Sequence, residues 1–336
     1  MQRNMKQWLY SLKSNKFKKA MPILSFPCAT LLGVSVRELV TNSTLQARGM
    51  KLIADRCDTL ASVSMMDLSV EAEAFGARVR FSDDEVPTVV GAIVTRMEEV
   101  EALEVPSLSA GRCPIYLDAI KQALDLITDR PIFAGVIGPF SLAGRLMDVS
   151  EAMVNCYTEP DMVHATLEKT TEFLIAYIDS YKQIGANGVV MAEPLTGMLS
   201  PALAEEFSEP YVRRIIEAVQ SDDFVVVYHN CGDNVLKMVD SILRTGAGAY
   251  HFGDVVDMLD MLEQIPTDKI VCGNVSPVRY FLNGTSESMY EATISLIDRC
   301  AIYDNFVLSS GCDVPPRASW DNIDAFFRAN KDKIEV

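Results

Sequence analysis

FVVVYHNCGDNVLKMVDSILRTGAGAYHFGD, residues Phe224–Asp254, compresses a strand, a helix and a second strand into one short span. Phe224–Tyr228 is a continuous apolar run, the pattern of a strand buried on both faces. Val235, Leu236, Val239, Ile242 and Leu243 then recur at helical spacing and stop near Gly246. A second β-rich run follows at Gly248–Gly253. A strand, a crossover helix and a strand in that order imply a parallel sheet.

The same alternation recurs along the chain. Candidate strands are Pro22–Pro27, Asp58–Ser64, Pro131–Gly138, Gly188–Glu193, Phe224–Cys231, Gly248–Gly253, Ile270–Val275 and Phe306–Gly311. Eight βα units in a chain of 336 residues predict an α/β (β/α)8 barrel, a single domain over 1–336. A doubly wound sheet is the alternative, but no Gly-rich phosphate loop follows the first strand. Residues 1–20 read as an N-terminal helical extension laid against the outside. Residues 76–112 read as an insertion near the barrel mouth, with a hairpin at Arg78–Val90.

Composition narrows the function. Hydrophobic residues make up 49% of the chain and charged residues 23%, which is ordinary for a globular protein. The 46 Asp+Glu against 30 Lys+Arg give a net charge of −16, which repels nucleic acid and anionic membranes. No apolar run is long enough to span a bilayer. The basic N-terminus lacks an apolar core and does not read as a secretory signal, so a cytoplasmic location is expected. The eight cysteines are then thiols rather than a disulfide framework.

In a barrel of this kind chemistry sits at the C-terminal strand ends. His229 and Cys231 are two apart, so pleating turns both to one face, the face of Val225 and Val227. Cys312 ends the last strand. One His and two Cys make three soft ligands with room for a fourth, the pattern of a catalytic zinc site. Read from spacing alone, a His-x-Cys on an apolar strand is more usually a pair of packed core side chains. Glu193 could act as a general base, a zinc ligand or a partner orienting His229, or be salt-bridged at the rim. Asp67 could hold a cationic or N–H group, while Glu71 and Glu73 read as a solvated face. Asn274 could bind substrate or shape a turn, Arg145 could reach an anion or lie on a helix surface, and His251 could reach the mouth.

Six ordered blocks together resemble the uroporphyrinogen decarboxylase superfamily. They are Asp67 with the following AEAFG, GPFSLA (138–143), AEPLTGMLSP (192–201), HNCGD (229–233), GNVSP (273–277) and SSGCDVPP (309–316). The resemblance implies a (β/α)8 barrel and one of two chemistries. One branch decarboxylates uroporphyrinogen without a cofactor. The other, resembling methylcobamide:coenzyme M methyltransferases, uses Zn2+ to activate a thiol for methyl transfer with a corrinoid.

The chain departs from the decarboxylase pattern. Its PILSFPCATLLGVS (22–35) lacks the Arg-rich substrate motif of that branch, the next arginine being Arg37. Pro194 replaces a serine, Arg145 a tyrosine and Ser310 a histidine; only Asp67 is kept. The methyltransferase branch has His-x-Cys and a distant Cys as zinc ligands, and His229, Cys231 and Cys312 stand at those positions. The resemblance thus implies metal ligation by these three, a small thiol substrate, and catalytic roles for Glu193 and Asp67. Substrate contacts would fall to Asn274, Arg145 and Ser310. No corrinoid-binding Asp-x-His-x-x-Gly motif is present, so the corrinoid is expected on a partner protein. Decarboxylation remains the alternative.

Overall fold

A computed structural model of the chain describes residues 3–13 and 18–335. Residues 1, 2 and 14–17 of the expected N-terminal extension, and residue 336, lie outside the described residues. Seven strands form one parallel sheet in sequence order: β1 (Ser62–Val63), β4 (Ile132–Ile137), β5 (Gly188–Ala192), β6 (Val225–Asn230), β7 (Ala249–Phe252), β8 (Ile270–Val275) and β9 (Phe306–Ser310). β2 (Arg78–Arg80) and β3 (Thr88–Val90) make a separate antiparallel hairpin with Arg78 opposite Val90.

The expected strand at Pro22–Pro27 does not form a ladder. The sheet curls until both its edges meet this segment: Leu60 N–H donates to Ala20 O (2.9 Å) and Met21 N–H to Leu308 O (2.9 Å). Beyond that, Pro22 has no N–H to give. Side chains take over the pairing, with Ile23 N–H donating to Ser310 Oγ (3.0 Å) and Ser309 Oγ–H to Met21 O (2.7 Å). The described architecture is therefore a curled seven-stranded α/β sheet rather than an eight-stranded hydrogen-bonded barrel.

Pleating divides the core in two. Val63, Phe133, Val190, Val225, Val227, Ala249, Cys272 and Val307 face the concave interior. The alternate set, including Val226, Tyr228, Tyr250 and Val271, packs under the helices. Side chains fill the interior, as in other closed or nearly closed parallel sheets.

The N-terminal helix Met5–Leu12 does not lie against the outside. Met5, Trp8, Leu9 and Leu12 form one apolar stripe and join the interior cluster, with Trp8 5.9 Å from the Phe133 ring. Met5 and Lys6 N–H both donate to Asp222 O, in the turn before β6 (2.7 and 3.0 Å). The helix thus stoppers the end of the sheet opposite the mouth.

Loops at the mouth are held at close range. A Cβ on Gly232 would lie 2.4 Å from Gly197 Cα, so the backbones after β5 and β6 touch where only glycine fits. No described helix is long and apolar enough to cross a membrane.

Candidate metal centre

His229 is the penultimate residue of β6, and Cys231 follows the strand directly. Cys312 follows β9 by two residues. The His229 ring nitrogen and the two sulfurs all lie within 4.8 Å of one another. His229 is buried, while both cysteines are half-buried and reachable from the mouth. Cys312 Sγ sits 3.5 Å from His229 Nε2. A tetrahedral zinc with ordinary Zn–N and Zn–S bonds spans about 3.5 Å between such donors, so the set fits that ion.

The two thiols share a proton unequally. The hydrogen bond from Cys312 lowers the Cys231 thiol, against the opposing effect of burial. The same bond, with burial, raises Cys312 to about 12. Cys231 is therefore the easier of the two to deprotonate, and thiolate is the ligating form. Away from the site, Cys28 and Cys272 are pushed up to about 12 by burial alone or chiefly by it.

Behind His229 lies a polar chain. His229 Nδ1 is 2.8 Å from His251 Nδ1 and 3.3 Å from His251 O, and His251 Nε2 is 2.8 Å from Ser309 Oγ. β6 and β7 set His229 directly beside His251 in register. Ser309 was not singled out from sequence; its parity with the interior-facing Val307 is the signal that places it here.

The remaining expected site residues are spread around the mouth. Glu193 is fully buried, and both its oxygens are engaged at the start of the helix Pro139–Met147. They accept from Phe140 N (2.8 Å), Ser141 N (3.1 Å), Ser141 Oγ (2.9 Å) and Thr196 Oγ (2.9 Å). Burial still raises this carboxyl to about 7. A carboxylate at a helix N-terminus caps it, and Glu193 is not among the three clustered donors.

Asp67 is buried and meets its cation within the chain. Arg112, 5% exposed, pairs with it through Nη1 and reaches Glu73 through Nε (2.6 Å) and Ser69 Oγ through Nη2 (2.7 Å). Tyr116 O–H (2.9 Å) and Ser69 Oγ–H (2.6 Å) also donate to Asp67. Asn274 Nδ2 donates to Gly253 O (2.9 Å) and Val256 O (2.7 Å), tying β8 to the loop after β7. Ser310 Oγ accepts from Ile23 N. Arg145 is partly buried without a hydrogen bond or ion pair among the described residues, and burial lowers its pKa.

Glu71 and Glu73 are not a solvated face. Glu73 pairs with Arg112, and Glu71 is 1% exposed, with Oε1 accepting from Ile137 N (3.0 Å) and Oε2 unpartnered. Burial raises the Glu71 carboxyl from 4.5 to about 7. The folded state therefore keeps a proton that the unfolded chain releases. This contribution is fully present below the unfolded value and is lost as pH rises through the folded one, by up to roughly 3 kcal/mol. In Glu71→Gln the stability difference between about pH 5 and about pH 8 is expected to shrink, read by denaturant midpoints. Parallel pH profiles for wild type and variant would remove Glu71 as the titrating group.

The sequence model of the uroporphyrinogen decarboxylase family matches residues 17–332. A methylcobamide:CoM methyltransferase from Methanosarcina acetivorans is 30% identical over 254 residues, covering 74% of this chain and 72% of that protein. A uroporphyrinogen decarboxylase from Prochlorococcus marinus is 27% identical over 250 residues, covering 71% and 68%. The solved structure of a methyltransferase from Methanosarcina mazei shares the fold, with a TM-score of 0.87 at 23% identity over 98% of both chains.

Proposed function

The chain belongs to the uroporphyrinogen decarboxylase family, and on that premise we propose that it is a zinc-dependent methyltransferase. It moves a methyl group between a corrinoid on a partner protein and a small thiol. The single observation that carries this reading is the convergence of His229, Cys231 and Cys312 donors within 4.8 Å at the mouth. The likeness to a methylcobamide:CoM methyltransferase supports it.

His229, Cys231 and Cys312 hold the ion. Zinc, when bound, supplies a Lewis acid that depresses the pKa of an incoming thiol. In the transfer a sulfur–carbon bond forms as the cobalt–carbon bond breaks, and the electron pair of the broken bond stays on cobalt. Glu193 contributes by holding the helix Pro139–Met147 against the end of β5. Asp67 and Arg112 fasten the end of the 76–112 insertion beside the mouth. Arg145, whose side chain has no partner among the described residues, is the contact for an anionic substrate group, while Asn274 and Ser310 brace the strand ends around the bound thiol. In this reading 1–336 is one domain and acts in the cytoplasm.

The test is anaerobic incubation of zinc-loaded protein with free methylcobalamin and a panel of small thiols, following the cobalamin spectrum and the methylated thiol. Thiol-dependent loss of methylcobalamin is expected. Absence of transfer to every thiol, together with turnover of a porphyrinogen by metal-free protein, would establish the decarboxylase reading instead.

A further inference from the structure

We propose that His251 is a positioning residue that holds the His229 ring with its proton on Nδ1 and its bare Nε2 turned toward Cys231 and Cys312. The inference deepens the metal-centre reading and rests on it.

One line of hydrogen bonds fixes the protons, beginning at the group with no choice. Met21 O can only accept, and Ser309 Oγ lies 2.7 Å from it, so the single hydroxyl proton of Ser309 is committed there. Ser309 Oγ is then left to accept from His251 Nε2 at 2.8 Å, which places a proton on that nitrogen. His251 Nδ1 is consequently bare in the neutral ring. It faces His229 Nδ1 at 2.8 Å, and a contact that short between two nitrogens needs one proton between them. That proton belongs to His229. The His251 carbonyl, 3.3 Å from the same His229 nitrogen, can only accept and asks for the same arrangement.

The opposite assignment puts the shared proton on His251. That ring would then be a cation, fully buried, with no carboxylate among its ring partners in the described residues. An unpaired buried charge is the costlier state. With Nδ1 protonated, His229 presents a lone pair at Nε2, 3.5 Å from Cys312 Sγ. This is the form of imidazole that ligates a metal, and a partner on the far nitrogen is what fixes it. The partner here is a second histidine whose own tautomer is set by a serine bonded to the segment that joins the two sheet edges.

The experiment uses histidine-labelled full-length protein, free of metal, and reads each ring nitrogen by long-range proton–nitrogen NMR. His229 is expected to be protonated at Nδ1 and bare at Nε2, and His251 the reverse. His251→Leu is expected to give a mixture of His229 tautomers. Its affinity for zinc alone, measured against a chromophoric chelator, should fall about tenfold or more. His251→Asn, whose side-chain carbonyl can accept near the position of Nδ1, should restore most of the affinity. Ser309→Ala provides a second variant that frees the His251 tautomer without emptying its place. A His229 proton found on Nε2 in the wild type overturns the inference. So does a His251→Leu protein that loses thermal stability but keeps both the wild-type tautomer and the wild-type affinity. If wild type binds no zinc, the functional reading fails, while the tautomer assignment is still decided by NMR.

Discussion

Changing Cys231 and Cys312 together to serine is expected to abolish zinc binding. Wild-type protein purified under reducing, metal-replete conditions should hold about one zinc per chain and the variant almost none. Serine keeps the size of the side chain but offers a hydroxyl with no accessible anionic form near neutral pH. What is lost is therefore the thiolate, while the packing around His229 is kept. Methyl transfer to thiol should fall by about a thousandfold or more, since the variant lacks both the ion and the groups that hold it. Elemental analysis and the methylcobalamin assay check the two halves separately. A variant that retains a full zinc complement would show that the ligands lie elsewhere, and a wild type without zinc would sink the proposed mechanism.

The second large effect concerns Arg112. Arg112→Met should destabilise the fold by about 3–5 kcal/mol, because it strands the buried Asp67 carboxylate without its cation. Tyr116 and Ser69 would still donate to Asp67, but neither supplies charge. The double variant Asp67→Leu/Arg112→Met should recover much of the loss, since a matched apolar pair leaves no orphan. Denaturant midpoints of the four proteins in that cycle give the coupling directly. A single variant as stable as wild type would show that Asp67 does not depend on this cation. Arg112 also lies 4.9 Å from the Phe81 ring of the hairpin, so the hairpin should become more protease-sensitive in the same variant.

How much of this was legible in sequence depends on the range of the interaction. His229 and Cys231 were readable because pleat parity is local: two residues apart on a strand means one face. Cys312 was readable as a strand end. The pairing of Asp67 with Arg112 was not, because the partners are 45 residues apart and an insertion separates them. Glu193 looked available because nothing in its own strand announces the helix start that occupies both its oxygens. The Pro22–Pro27 segment reads as a strand by composition, yet its ladder is replaced by hydroxyls of Ser309 and Ser310. The position of Met5–Leu12 failed for a similar reason: an apolar stripe says that a helix is covered, not by what.

The stopper formed by that helix has a kinetic counterpart. With one end of the sheet sealed by Trp8 and its neighbours and the interior filled by side chains among the described residues, the candidate metal centre is left to open at the opposite end, the mouth. Under the proposed reaction both reactants must use it, and one of them rides on a protein broad enough to close it. The small thiol then has to be aboard first, and the methylated product can leave only after the carrier departs. Steady-state kinetics should accordingly show compulsory-order binding rather than random entry.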